Sequence, residues 1–317
     1  MLMVWICWVK RKNNWKSIIT QKSYWYSMKS IKWDKLRLLV TNGCNYRCPF
    51  CHNEGQKKDG QSGMMSIESF KQLISYIEGQ DLSEINFSGG DPFLHKGIVD
   101  MIVYANDHME CDISCATNLS LISEQQIERL AKTRIKFNIQ FPYVTENDFA
   151  RSTGTGRLCN ILDNIKAVKS AGIKIGLNMV IQSAVTDSVK QMITFALQNE
   201  LPLKLLPQIG LEGSDRFIDD IQPILEKYSL QFVNKGTGAL RWTIGDDSHQ
   251  TSVLYIDSPC FSRDIDTCKN YGEIRILPDF MLQSCILKEA NERICLDKGR
   301  EYVIGQFERL WNDFSHC

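Results

Sequence analysis

Cys44, Cys48 and Cys51 lie within eight residues of one another in the stretch "TNGCNYRCPFCHNEG", among polar and glycine positions rather than core-like ones. A Cys-x3-Cys-x2-Cys loop offers three thiolates to a metal centre. Structural zinc closes its tetrahedron with four ligands, so a zinc site here has to borrow another, with His52 the nearest candidate. A 4Fe-4S cubane held by three cysteines instead leaves one iron open, which is useful only where something must bind there. The spacing favours the cluster and leaves zinc as the alternative.

A second, looser group, Cys260, Cys268, Cys285, Cys295 and Cys317, occupies the last fifth of the chain. Cys7, Cys111, Cys115 and Cys159 lie outside both groups, the last three in strand-like or helix-like stretches where cysteine usually acts as a small buried hydrophobe. The start, "MLMVWICWVKRKNNWK", has an apolar run of nine residues, too short to span a bilayer, and its basic residues follow the run instead of preceding it. A cytoplasmic protein is therefore expected. Twelve cysteines in such a chain argue for metal or redox chemistry rather than a disulfide framework. Residues 1–35 hold five of the seven tryptophans and read as a leader: a docking strand, a substrate-contacting arm, or extra residues. The 37 basic side chains balance 37 acidic ones, which leaves no electrostatic footprint for nucleic acid or an anionic membrane.

The elements that must hold these residues follow from periodicity. Short β-rich runs at 36–41, 84–89, 111–117, 135–141, 174–181 and 203–209 alternate with segments whose apolar residues return every three or four positions. Ser66 with a following Glu reads as a capping box, and Gly172 as a helix stop. Six strand-helix repeats predict an α/β fold, a partial (β/α)6 barrel over 36–210 with an open side, followed by an appended subdomain over 211–317 that carries the second cysteine group. Strands are also expected near "LRWTIG", "SVLYI" and "EIRIL". Ligand sites in such folds gather at the carboxyl ends of the strands. The cysteine triplet follows strand one, "SGGDP" follows strand two, Thr117 and Asn118 close strand three, and Gln140 sits at the end of strand four.

With these motifs in this order, residues 36–290 resemble the radical S-adenosylmethionine (radical SAM) superfamily. Within it, "RLLVTNGCNYRCPFC", "ATN", "GIKIGLNMVIQSAVTDSVKQMITFA" and the C-terminal cysteines look like the GTP 3′,8-cyclase branch of molybdenum cofactor biosynthesis. The resemblance implies a 4Fe-4S cluster on Cys44, Cys48 and Cys51, the catalytic thiolates, with SAM chelating the open iron. It also implies reductive cleavage to a 5′-deoxyadenosyl radical that abstracts hydrogen from substrate, and a flavodoxin- or ferredoxin-type reductant. Gly89 and Gly90 would let the backbone approach the methionine end, and the Asp91 carboxylate would pair with its ammonium. The family usually has Glu at that position. Thr117, Asn118, Gln140 and Asn178 complete the implied SAM-binding set. A second cluster is implied on Cys268 and Cys285, but Tyr271 stands where the branch has a cysteine; Cys260 is the replacement, with Cys295 as a further ligand.

The resemblance thins at the substrate. Arg37 and Arg275 match two cationic positions of the branch, whereas Glu84, Asn86, Gly176 and Glu273 stand where its phosphate-binding residues are basic. The paired C-terminal glycines of the branch are also absent from "DFSHC". Carboxylates at 84 and 273 suit a substrate bearing an amine or hydroxyls, and the expected substrate is a natural product or peptide. A divergent GTP 3′,8-cyclase is the alternative, and a non-catalytic iron-sulfur carrier or sensor is the alternative of another class.

Overall fold

The computed structural model describes residues 33–51, 63–183, 187–236, 238–262, 264–290 and 292–315. The leader to residue 32, Cys7, His52 and Cys317 lie outside the described residues. The described residues belong to one compact unit.

Six strands appear where the alternation places them: β1 (Lys35–Thr41), β2 (Glu84–Gly89), β3 (Asp112–Thr117), β4 (Ile135–Gln140), β5 (Lys174–Ile181) and β6 (Leu203–Pro207). Between them run α1 (Ile67–Ile77), α2 (Ile98–His108), α3 (Glu124–Leu130), α4 (Glu146–Thr153), α5 (Leu158–Ser170) and α6 (Asp187–Gln198). The expected capping box at Ser66 is a plain N-cap: Glu68 is one position early and takes the Ser66 hydroxyl at 3.0 Å, while Ser66 Oγ accepts from Ser69 N. The full box forms at Ser123 and Gln126. Gly172 ends α5 with φ of 79°, as the stop requires. Helix α4 was not anticipated. Its Phe149 packs on Tyr46 and Phe141, at ring centroid distances of 6.4 and 5.8 Å.

Beyond 210 come α7 (Phe217–Glu226), β7 (Ser229–Asn234), β8 (Ala239–Gly245), β9 (Gln250–Ile256), α8 (Pro259–Ser262), α9 (Ile265–Lys269), β10 (Glu273–Ile276), β11 (Met281–Gln283), β12 (Glu292–Arg293) and α10 (Arg300–Asp313). These do not build a sheet of their own. One sheet runs β12-β11-β10-β1-β2-β3-β4-β5-β6-β9-β8-β7. β10 lies parallel beside β1 and β9 parallel beside β6, so the six-strand core becomes a parallel run of eight with antiparallel ribbons at both ends. The break expected at 210 is therefore not a break in the sheet. The outer edges of β1 and β6 carry unpaired backbone groups in a six-strand core, and the later strands satisfy them.

The fold is α/β, a partial barrel. Its helix-facing positions are apolar and sealed: Leu36, Leu38, Ile85, Phe87, Cys115, Phe137, Leu177 and Leu205 are all fully buried or nearly so. The inward positions are not. Register aligns Arg275 with Arg37, Arg37 with Asn86, Asn86 with Ser114, and Ser114 with Lys136. Parallel strands normally carry apolar side chains on both faces, so a polar inner face marks the place where this barrel holds something other than its own core. Among the described residues no helix is long and apolar enough to cross a membrane.

Candidate active site

The cysteine loop leaves β1 at Thr41 and is braced by the glycines after β2. Gly90 N donates to Thr41 O and Asp91 N to Gly43 O, each at 2.8 Å. A Cβ on Gly90 would stand 1.9 Å from Gly43 O, and one on Gly89 2.2 Å from Thr41 O. Gly89 also holds φ of 138°, where side-chain-bearing residues are strained. What the glycines admit is thus the backbone of the cysteine loop itself. The loop continues with Tyr46 N donating to Cys44 Sγ at 3.3 Å, Arg47 N to Thr153 O at 2.9 Å, and Cys51 N to Cys48 O at 3.1 Å. The Arg47 bond explains the placement of α4: the carbonyl of its last residue, Thr153, holds the middle of the loop.

Asp91, expected to pair with the SAM ammonium, is held by bonds within the protein. It is fully buried, and both carboxylate oxygens are engaged: Oδ1 accepts from Phe93 N at 2.9 Å, and Oδ2 from Thr117 Oγ1 and Asn118 N at 2.8 Å each. Burial pushes its pKa up against the pull of those bonds. The carboxylate does not line the cavity; it ties the end of β3 to the glycine turn.

The residues that do share a cavity, of about 250 Å³, include all three cysteines together with Gly89, Gly90, Thr117, Asn118, Gln140 and Asn178. Within it the buried Gln140 Nε2 and Asn178 Oδ1 lack hydrogen-bond partners, the mark of a wall made for a polar ligand. Burial pushes the Cys44 thiol up to about 11 and Cys48 up to about 12. Among the described residues no three His, Cys, Asp or Glu side chains converge tightly enough to hold one metal ion. Thiolates of a cubane serve different irons, so they need a common cavity rather than a common point. Three thiols on one cavity with unsatisfied polar walls fit a three-cysteine cluster and a polar ligand beside it.

Cys260, Cys268 and Cys285 line a second cavity of about 340 Å³, together with Tyr271, whose buried hydroxyl has no hydrogen-bond partner. Asp264 caps α9 by accepting from Asp266 N and Thr267 N, which fixes the turn that carries Cys268. Cys295, expected as a further ligand, is not part of this wall: its Sγ faces Arg293 O at 3.7 Å. Arg37, Val180, Leu206 and Ile286 line both cavities and so form the partition between them.

Within the partition, Arg37 grips Glu273 with two bonds, Nε to Oε1 at 2.9 Å and Nη2 to Oε2 at 3.0 Å. Arg275 adds Nη1 to Glu273 Oε1 at 3.4 Å and Nε to Gln283 Oε1 at 3.0 Å. Burial pushes Glu273 up, and the two guanidiniums overcome it, holding the carboxyl below its ordinary value. Glu273 is therefore a partner of the arginines and offers no free carboxylate to an amine. Glu84 Oε1 accepts the Ser114 hydroxyl, which also receives Asn86 Nδ2. Lys204 on β6 was missed, as were Lys136 and Asn138 on β4; the signal was present, since alternation in "LKLLP" and "IKFNIQ" turns these positions inward beside Gln140.

Fold and site define a class of enzyme, one that gathers three thiolates at the carboxyl end of a partial parallel barrel. The pattern of the radical SAM superfamily matches residues 38–196, half of the chain. The chain belongs to the radical SAM superfamily, and with that membership come a 4Fe-4S cluster and SAM. Relatives include a protein described as "Probable GTP 3′,8-cyclase" from Methanocella arvoryzae, 28% identical over 81% of this chain and 82% of its own. Another is GTP 3′,8-cyclase 2 of Pseudomonas aeruginosa, 24% identical over 79% of this chain and 78% of its own. Among solved structures, Streptococcus suis SuiB bound to S-adenosylmethionine superposes with a TM-score of 0.65 at 12% identity, over 89% of this chain and 69% of its own. Methylornithine synthase gives 0.52 at 12% identity, over 94% and 89%. At such identity the structures attest the fold alone.

Proposed function

We propose that this enzyme applies radical SAM chemistry to an amine- or hydroxyl-bearing natural product or peptide, and not to GTP. The observation that carries the reading is the Arg37–Glu273–Arg275 clamp. A triphosphate is held by free cationic forks. Here the two arginines that match the branch are shared with a carboxylate, while Glu84, Asn86 and Gly176 supply no cation. The identity to named GTP 3′,8-cyclases over four-fifths of both chains is what favours the second reading, a divergent cyclase.

When bound, the cluster and SAM supply one-electron cleavage and hydrogen-atom abstraction. The chain's own residues do the rest. Cys44, Cys48 and Cys51 hold the cluster, the glycine turn and Asp91 fix the loop that carries them, and Thr117, Asn118, Gln140 and Asn178 offer polar contacts to SAM. Cys260, Cys268 and Cys285 would hold an auxiliary cluster across the partition. A flavodoxin- or ferredoxin-type protein delivers the electron in a reducing, cytoplasmic setting.

The test is anaerobic reconstitution followed by an iron count, then incubation with SAM and dithionite in the presence and absence of GTP. About eight irons are expected for two cubanes and about four for one. 5′-Deoxyadenosine is expected to form without any response to GTP. A GTP-dependent rise with a cyclised nucleotide product would overturn the reading in favour of the cyclase.

A further inference from the structure

Most of the charged groups inside the barrel are accounted for by one another. Arg37, Arg275 and Glu273 form one hydrogen-bonded group. Lys136 is exposed, and Lys35 stands over the Tyr271 ring at 5.8 Å. Two remain. Glu84 opens β2 and Lys204 lies on β6, four strands away around the curved sheet, and strand alternation turns both inward. Among the described residues neither forms an ion pair.

Their surroundings differ in kind. Among the described residues the Glu84 side chain is hydrogen-bonded through Oε1 to Ser114 alone, and the buried Asn86 Oδ1, next inward along β2, is an unpartnered acceptor. That corner accepts hydrogen bonds. Among the described residues the Lys204 side chain forms no hydrogen bond; its register neighbours are Asn178 and Leu254. Beside it Gly176 adds no side chain to the inner face of β5, where a Cβ would sit in ordinary contact with Asn138 Oδ1 and Lys136 Cε at 3.7 Å. Burial, then Lys136 and Arg37, push Lys204 down to about 8, while Glu84 and Glu273 pull it back. A buried ammonium whose opposing charges lie beyond ion-pair distance is costly unless a ligand supplies a closer one.

We propose that the barrel interior binds a zwitterionic part of the substrate, with Glu84 and Asn86 receiving an ammonium and Lys204 receiving a carboxylate. This names the substrate class as an amino acid or a molecule carrying an amino-acid-like head. It rests on the reading that the substrate is not GTP.

The test is calorimetric binding to the reconstituted, SAM-loaded enzyme. The probes are ω-amino acids from glycine to 6-aminohexanoate, with butylamine, butyrate and inorganic triphosphate as controls. One member of the series is expected to bind at least about tenfold more tightly than either single-charge control. Glu84→Gln should abolish the advantage over butyrate, Lys204→Met the advantage over butylamine, and Lys204→Arg should keep it. Thermal melts establish that each variant is folded, and either charge arm suffices if the other variant is not. Equal binding of the single-charge controls, a preference that survives both Glu84→Gln and Lys204→Met, or tighter binding of triphosphate overturns the proposal. Cyclised nucleotide from GTP sinks the function reading beneath it; its absence together with no zwitterion preference sinks this inference alone.

Discussion

Asp91 accepts three hydrogen bonds from within the protein, and that decides what its replacement does. In Asp91→Asn one oxygen becomes an NH2 that must face either Phe93 N–H or the Thr117 and Asn118 donors. A buried donor is then left against a donor, which costs about 1–3 kcal/mol. Urea unfolding of the cluster-free protein should show that loss. A carboxylate whose task was to pair with the ammonium of SAM would leave the cluster-free stability unchanged. Gly90→Ala is a sharper case, because its Cβ would fall on the Gly43 carbonyl and not on a movable side chain. The expected result is loss of iron on reconstitution with the helical signal retained, read by iron assay and circular dichroism. Retention of the natural protein's full iron count by Gly90→Ala, with no cubane's worth of iron lost, would refute this account of the loop. The triplet itself was legible in sequence because its chemistry is local. The role of Asp91 was not, because the donors that engage its second oxygen lie 26 and 27 residues away.

At the level of elements, the core strands were legible because each is a short apolar run followed by a helical repeat. The flanking strands were not. Their identity as strands shows in "EIRIL" and "SVLYI", but nothing local says that β10 docks beside β1, across 236 residues between Arg37 and Glu273. The same distance hid the pairing that removes Glu273 from the substrate-binding candidates. Because β10 and β9 cover the outer edges of β1 and β6, a chain ending at Gly210 would leave two open parallel edges and an uncovered polar interior. Such a chain is expected to aggregate or to lose cooperative unfolding, measured by light scattering and urea titration. A soluble, cooperatively folding fragment would mean that the six-strand core is independent after all. Helix α4 makes a complementary point. Phe149 is fully buried between Tyr46 and Phe141, so Phe149→Ala should cost about 3–5 kcal/mol and loosen the cysteine loop at the same time. Hydrogen exchange at Arg47 N–H would report the loosening.

Across the whole molecule, the polar lining of the barrel sets stability against binding, and Lys204 is where the two can be separated. Its pKa in the fold is about 8, below the ordinary lysine value of about 10.4, because burial and neighbouring cations disfavour the charged form. Between those two values the unfolded chain binds more protons than the native one, so stability rises with pH through that window. Below about 8 the destabilisation is fully present, and above about 10.4 it has vanished. Lys204→Met removes the titrating group while keeping the apolar length of the side chain. The variant's melting temperature should therefore exceed that of the natural protein at pH 7, and the difference should shrink toward zero as pH rises from 8 to 10. The groups facing Lys204 are Lys136 on β4, Arg37 on β1, Glu84 on β2 and Glu273 on β10, and of these only the carboxylates oppose the shift. A variant no more stable at pH 7, or one whose advantage grows with pH, would mean that Lys204 already has a counter-charge in the fold. It would then have no reason to await one from a ligand. A stabilising substitution that costs carboxylate binding is the trade expected of a residue kept for its ligand and not for the fold.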